Sequence, residues 1–231
     1  MTSYTPTHVH LVGSIGLGGV DEVFGTVGRA LGRRLKRIPD GEPGPRRLWV
    51  SFQYPLLRSS PFLRPDPSGA LRKTSGFPLL CLAEGIKAEE VEFGELGYAR
   101  EARGSYLDFL TARNRGDIAK GTRFQVCLPT PMSVIYAFCT ARDVAAIEPA
   151  YEKAMTREVE QICRHIPHED LAPAELCRAA DHQRIVRGIQ RGHIERLADR
   201  KPQALALPDG VIGQARVRAD HIAMQVKYGT G

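Results

Sequence analysis

The fold of this 231-residue chain is decided by residues 8–43, HVHLVGSIGLGGVDEVFGTVGRALGRRLKRIPDGEP. The apolar run at residues 8–12 ends at a glycine-rich turn, which predicts a strand that leads into a loop. Apolar residues then recur at helical spacing over residues 20–35, and residues 35–39 predict a second short strand. Strand, loop, helix and strand in this order predict an α/β fold with a parallel sheet or barrel.

The alternation of strands and helices continues along the chain. The remaining predicted elements are strands at residues 77–82, 91–96 and 124–128, helices at residues 98–119 and 149–165, and a long loop at residues 55–78. Polar motifs follow the predicted strands. Because a (β/α) barrel carries its active site at the carboxyl ends of its strands, these motifs are the first candidates for function.

Composition places the chain among soluble globular proteins. Hydrophobic residues make up 42% and charged residues 25%, and the formal net charge is +6. The sequence shows no basic and apolar leader, and its five cysteines include no C-x-x-C pair. We therefore expect reduced thiols and a cytoplasmic location. Cys127 and Cys139 are expected to be buried, unactivated thiols.

Residues 124–141 carry no charge over a length close to that of a membrane span. Pro129 and Pro131 interrupt this run, beside polar residues. The stretch therefore predicts a buried strand, a loop and a short helix, and we expect no association with a membrane.

The composition changes at about residue 171. Residues 171–231 contain one aromatic residue, Tyr228, and 10 basic against 6 acidic residues. We expect a globular region over residues 1–170, followed by a basic tail that is mostly helical, over about 173–199, or poorly ordered. Acidic residues among the basic ones, and the lack of aromatic residues for base stacking, argue against nucleic-acid binding.

The motif Val12-Gly13-Ser14 closes the first predicted strand. A glycine lets the backbone approach a ligand, and the hydroxyl and adjacent amides of Ser14 can hold a carboxylate or phosphate. The alternative is a turn that needs only Gly and Ser for its geometry.

The motif Asp40-Gly41-Glu42 closes the second predicted strand. Two carboxylates at a strand end can bind an amino group or act as acid and base. The alternative is a solvated turn whose acids pair with Arg46 and Arg47.

His8 and His10 would lie on one face of the first strand, because side chains alternate along a strand. This pair is similar to the metal-binding histidines of amidohydrolase barrels. A metal hydrolase also needs a ligand from a later strand end, and the available histidines, His165 and His168, fall at a predicted helix end. The alternative is a pair of histidines without a metal.

Four segments, taken together, resemble one superfamily. They are HLVGS at 10–14, IPDGEPGPRRLW at 38–49, CLPTPMSVIYAF at 127–138 and AYEKAMTREVEQICRHIPHEDLA at 150–172. In this order and spacing they resemble the superfamily of cobalamin-independent methionine synthase and uroporphyrinogen decarboxylase, above all its methionine-synthase-like members. The resemblance covers the N-terminal part of the catalytic barrel.

The resemblance implies a substrate site for a small amino acid or thiol. Gly13 and Ser14 match the family's Ile-Gly-Ser strand end, which implies that they hold the acid group of the substrate. Glu42 matches the glutamate of a His-Gly-Glu-Pro motif and would bind the substrate amine, with Asp40 in place of the histidine. The family's Thr-Gly-Pro-Val-Thr stretch is similar to residues 129–133.

The family's zinc ligands are not found in this chain, which has no His-x-Cys and leaves the pattern at about Leu171. We therefore expect an incomplete (β/α) TIM-type barrel whose divergent tail is native or the product of splicing or a shifted frame. No catalytic residue, metal ligand or cofactor can be assigned. The open edge of such a half-barrel favours self-association.

Three functions from different classes follow. The first is a methyltransferase-type enzyme acting on a small amino acid or thiol, or an inactive relative of one. The second is a non-catalytic half-barrel remnant that binds a partner, and the third is an amidohydrolase-like metal hydrolase. A decarboxylase of the second superfamily branch has no separate motif here.

Overall fold

The computed structural model describes residues 8–48, 50–72, 75–172, 213–217 and 222–226. These residues form a mixed α/β structure. Its helices are α1 (Val20–Leu31), α2 (Tyr54–Ser59), α3 (Tyr98–Arg115), α4 (Pro131–Phe138) and α5 (Val144–His165). Its strands are β1 (Arg37–Pro39), β2 (Leu63–Pro65), β3 (Leu80–Leu82), β4 (Arg123–Gln125), β5 (Gly213–Val217) and β6 (Ile222–Val226).

Parallel pairing follows the order of the chain. The first parallel segment, residues 8–12, is bridged to Leu35 through Val9, and β1 pairs with β4 so that Ile38 lies opposite Phe124. Phe124 is also bridged in parallel to Leu171. These three segments follow one another along the chain, but the β2–β3 pair lies between β1 and β4 in sequence, and Leu80 of β3 has its own parallel bridge to Cys139. The described pairs are short and form no closed barrel, so the half-barrel stays a prediction.

The described residues form two buried apolar clusters. The first cluster packs the parallel segments against α1, α3 and α5, and its centre is formed by Phe24, Phe109 and Phe124. The ring of Phe24 meets both other rings edge-on, at centroid distances of 5.8 and 6.2 Å. The second cluster lies among α2, β2, β3, α4 and α5 and includes Tyr54 and Phe138.

The region predicted as a long loop, residues 55–78, is more ordered than expected. It contains α2 and β2, and β2 pairs antiparallel with β3. Leu57 and Leu63 are buried in the second cluster, which explains why this segment folds onto the protein. The strand predicted at 77–82 is present over Leu80–Leu82 as β3, which pairs antiparallel with β2 and is bridged in parallel to Cys139.

The strand predicted at residues 91–96 is wrong. Val91, Phe93 and Leu96 are buried, yet the structure assigns no strand to this segment. The backbone N–H of Leu96 donates to the carboxylate of Glu158 at 2.7 Å instead of to a neighbouring strand. Alternating burial here reflects an extended segment packed on α5.

The helices predicted at residues 20–35, 98–119 and 149–165 are present as α1, α3 and α5, but α1 ends at Leu31, α3 ends at Arg115 and α5 begins at Val144. Its start is fixed by a turn in which the Thr140 hydroxyl donates to Asp143 at 2.7 Å. Buried Val144 and Ile147 extend the inner face of α5 ahead of the proline.

The short helix expected within residues 124–141 is confirmed as α4, which follows β4 and a loop. Thr130 caps it by accepting a hydrogen bond from the Ser133 N–H at 3.2 Å. None of the described helices is long and apolar enough to cross a membrane.

The helix expected at about residues 173–199 lies outside the described residues. Within the tail, the structure describes Leu171 and Ala172 beside β4, and the antiparallel pair β5–β6. The division of the chain at residue 170 stays a prediction.

Glu158 joins α5 to the start of α3. Its carboxylate is buried and accepts hydrogen bonds from the backbone N–H groups of Leu96 and Ala99, at 2.7 and 2.6 Å. These amides belong to the first turn of α3 and the residues just before it, where helical N–H groups lack backbone acceptors. A side chain of α5 thus caps α3.

Glu158→Ala is expected to lower the free energy of unfolding by about 2–4 kcal/mol, because two buried N–H groups lose a charged acceptor. Urea denaturation measures the effect. Glu160→Ala, at an exposed position of the same helix, is the matched control and should leave stability unchanged. Equal losses in both variants would contradict the capping role.

Gly28 sets the distance between α1 and the loop after α3. A Cβ added at Gly28 would lie 2.4 Å from the backbone oxygen of Asp117, whereas one at Gly104 in α3 would meet nothing within 4 Å. We expect Gly28→Ala to destabilise the protein by about 1–3 kcal/mol through overpacking. Gly104→Ala should stabilise it by about 0.5–1 kcal/mol. Thermal unfolding of both variants tests this, and destabilisation by both would refute it.

Candidate functional site

Ser14 and Glu42, two predicted site residues from different strand ends, meet in the structure. Ser14 follows the first parallel segment and Glu42 follows β1. The hydroxyl of Ser14 donates a short hydrogen bond to Oε2 of Glu42. Ser14 is exposed, whereas Glu42 is only 8% exposed. The accessible hydroxyl of Ser14 therefore lies against a nearly buried carboxylate.

Asp40 anchors the loop that carries Glu42. Its Oδ2 accepts hydrogen bonds from the guanidinium of Arg46 and the hydroxyl of Ser105, both at 2.8 Å. Its Oδ1 accepts from the backbone N–H of Glu42 at 3.0 Å. The expected pairing of an acid with an arginine thus holds for Asp40 and Arg46, while Arg47 donates to the Leu17 carbonyl.

The backbone of this loop is left-handed at two successive residues. Gly41 has φ 79° and Glu42 has φ 51°. A Cβ at Gly41 would lie 2.7 Å from a methyl group of Val23, and the Gly41 carbonyl accepts from the Ile15 N–H at 2.9 Å. Only glycine fits at 41. A left-handed glutamate costs about 1 kcal/mol, a strain typical of functional positions.

Burial dominates the electrostatics of the site. Desolvation raises the pKa of Glu42, the hydrogen bond from Ser14 opposes this shift, and the charges of Asp40 and Arg46 act in opposite directions. Burial also raises the pKa of Cys127 to about 12, and Glu42 adds to that shift. At neutral pH Cys127 is therefore a thiol and not a nucleophilic thiolate.

Two residues of β4 and its extension complete the site, and sequence reasoning missed their role. The amide nitrogen of Gln125 donates to the Leu11 carbonyl at 2.9 Å, and the Cys127 thiol donates to the Val12 carbonyl at 3.1 Å. A Cβ at Gly13 would lie 3.4 Å from Glu42 Oε2 and 3.7 Å from the Cys127 sulfur. Both side chains thus lie at van der Waals distance from the turn at Gly13.

Gln125 could have been noticed in the sequence as the polar neighbour of buried Phe124. In a strand, residues next to each other face opposite sides. With Phe124 packed on the helices, Gln125 must face the other side of the parallel segments, where the site lies.

The metal-hydrolase alternative finds no complete ligand set in the described part of the chain. His8 and His10 alternate with buried Val9 and Leu11 and so share a face. His165 ends α5, and its Nδ1 lies 2.7 Å from the Gln161 carbonyl oxygen. Across the described residues, no group of three or more His, Cys, Asp or Glu side chains could hold a metal ion. The zinc of methionine-synthase-like proteins therefore finds no ligand set among the described residues.

Comparisons of the chain with known protein families, with curated proteins and with solved structures found no match. The resemblance to methionine-synthase-like proteins therefore rests on the quoted motifs. What supports a function is the geometry of Ser14, Glu42 and Asp40.

Substitutions of Asp40 and of Glu42 should change the stability of the protein by different amounts. Asp40→Ala is expected to cost about 3–5 kcal/mol, because Arg46 loses its buried partner. Glu42→Gly should leave stability within about 1 kcal/mol of the wild type, since glycine relieves the left-handed strain while the hydrogen bond to Ser14 is lost. Chemical denaturation checks both values. A severe loss on Glu42→Gly would make Glu42 a structural residue.

Proposed function

We propose that this chain is a methionine-synthase-like barrel protein of the methyltransferase type, which binds a small amino acid or a thiol-like substrate at the Ser14–Glu42 pair. The observation that carries the proposal is the hydrogen bond between these two side chains. They come from the ends of successive parallel segments, where a (β/α) barrel places its ligand. The chain-order pairing of the described parallel segments also supports it.

The hydrogen-bonding capacity of the pair favours an amino group as the ligand. A serine hydroxyl has one proton, and the Ser14 proton is directed at Glu42. Toward a ligand, both side chains therefore offer acceptor oxygens. A primary ammonium group has three donors and no acceptor, so it complements them. The acid group of an amino acid would then be held by the backbone amides of Gly13 and Ser14.

A non-catalytic role is the second candidate. The sequence contains no His-x-Cys, and Cys127 is protonated at neutral pH. A half-barrel of this kind would bind a small molecule or a partner, including a second copy through its open parallel edge, without chemistry. Cys81, Cys127 and Cys139 are free thiols, which supports the proposed cytoplasmic location.

Calorimetric titration with L-homocysteine and other small amino acids, beside their des-amino analogues, tests the proposed function. The wild type should prefer the amino compounds by about tenfold or more, the worth of a charged hydrogen bond. Binding should strengthen as pH rises through the raised pKa of Glu42, because only the ionised carboxylate attracts an ammonium group.

Glu42→Gln should abolish both the preference for amines and its pH dependence. Glu84→Gln, which removes a carboxylate that is 89% exposed, is the matched control and should behave as the wild type. A wild-type protein that does not distinguish amino from des-amino compounds would overturn the proposed function.

A further inference from the structure

The strand that leads into the Ser14 turn is held by side chains, whereas the residue after Ser14 is held by a backbone hydrogen bond. The described pairing of the first parallel segment consists of the bridge between Val9 and Leu35. Beyond it, the carbonyl of Leu11 accepts from Gln125, and the carbonyl of Val12 accepts from Cys127. Gly13 and Ser14 therefore lie between these two contacts with β4 and its extension on one side and the hydrogen bond from the Ile15 N–H to the Gly41 carbonyl on the other.

Gln125 reaches the turn from across β1. It lies opposite Pro39 in the parallel register of β1 and β4. Its amide nitrogen donates to the Leu11 carbonyl at 2.9 Å and lies 3.4 Å from the Val12 oxygen. The same nitrogen lies 3.3 Å from the sulfur of Cys127. One buried amide thus links the first parallel segment to β4.

Burial of the Gln125 amide is energetically unfavourable. Gln125 is 8% exposed, and its Oε1 is buried with no hydrogen-bond partner among the described residues. A buried acceptor without a donor is unfavourable, and an exception of this kind calls for a specific reason. Its donors supply that reason, since they satisfy carbonyls that the strand pairing does not.

We propose that Gln125 is a positioning residue of the site: its side-chain amide holds the Leu11–Ser14 turn so that the hydroxyl of Ser14 contacts Glu42. This inference deepens the proposed function and rests on it for the ligand. Its test measures the contact between Ser14 and Glu42 directly and needs no substrate.

The readout is the pKa of Glu42 in a double-mutant cycle, followed by carbon-detected NMR of the carboxyl group. Ser14→Ala removes a hydrogen bond that lowers this pKa, so in the wild type it should raise the pKa. In a Gln125→Met background, Ser14→Ala should change the pKa by less than half as much. Methionine has nearly the shape of glutamine but carries no amide donor.

The double-mutant cycle distinguishes loss of the contact between Ser14 and Glu42 from other effects on the pKa of Glu42. Asp40, Arg46, Tyr98 and Cys127 also influence or sense the charge of Glu42. Any change that Gln125→Met causes through them appears with and without Ser14, and so cancels in the cycle. Only a loss of the Ser14 contact makes the two substitutions non-additive.

Gln53→Met is the matched control. Gln53 is likewise buried, and its amide nitrogen donates to the Leu96 carbonyl at 3.0 Å within the second cluster. In this background, Ser14→Ala should shift the Glu42 pKa as fully as in the wild type. An equally full shift in the Gln125→Met background would overturn the proposal.

If Gln125→Met does not fold, Gln125→Leu carries the same test, because leucine also lacks the amide donor. Ser14→Ala should again shift the pKa of Glu42 by less than half as much as in the wild type, and full additivity would overturn the proposal. Loss of amine binding with the coupling intact would refute the proposed function alone. Amine binding without coupling would refute only the role of Gln125.

Discussion

The carboxylate of Asp40 receives hydrogen bonds from α3 through Ser105, from the residues after the loop through Arg46, and from the loop itself through the Glu42 N–H. A nearly buried charge is tolerated only when it is paired and hydrogen-bonded, and here both oxygens are satisfied. Three parts of the chain therefore share one anchor. With the loop fixed in this way, Glu42 adopts a left-handed backbone and faces Ser14.

The two buried clusters contribute differently to the structure around Asp40. The first cluster places α1 and α3 behind the parallel segments and so holds Ser105 opposite Asp40. The second cluster builds a separate hairpin and helix pair around Tyr54 and Phe138. Helix α5 contributes to both clusters, and Glu158 connects it to the start of α3. The site therefore depends on packing that is remote from it.

Much of this architecture could be predicted from the sequence, because amphipathic periodicity marks α1, α3 and α5 and polar residues mark the ends of the parallel segments. The helix and strand within residues 55–78 were not predicted, because a proline-rich segment shows no hydrophobic periodicity. The β2–β3 pair is stabilised by packing against residues that are distant in sequence. The strand predicted at residues 91–96 is wrong because alternating burial also occurs in extended segments that have no partner strand. The alternation with Phe124 indicates which face of the strand Gln125 occupies, but it does not indicate that its amide contacts the Leu11 carbonyl, which is distant in sequence.

The two left-handed residues also restrict how the length of this loop can vary. Asp40 and Glu42 are joined by a hydrogen bond across one intervening residue, and Gly41 is tied to Ile15 on the neighbouring turn. An insertion or deletion between Pro39 and Glu42 would break both connections at once and point the carboxylate away from Ser14. The number of residues between β1 and Glu42 is therefore fixed by contacts on both sides of this loop.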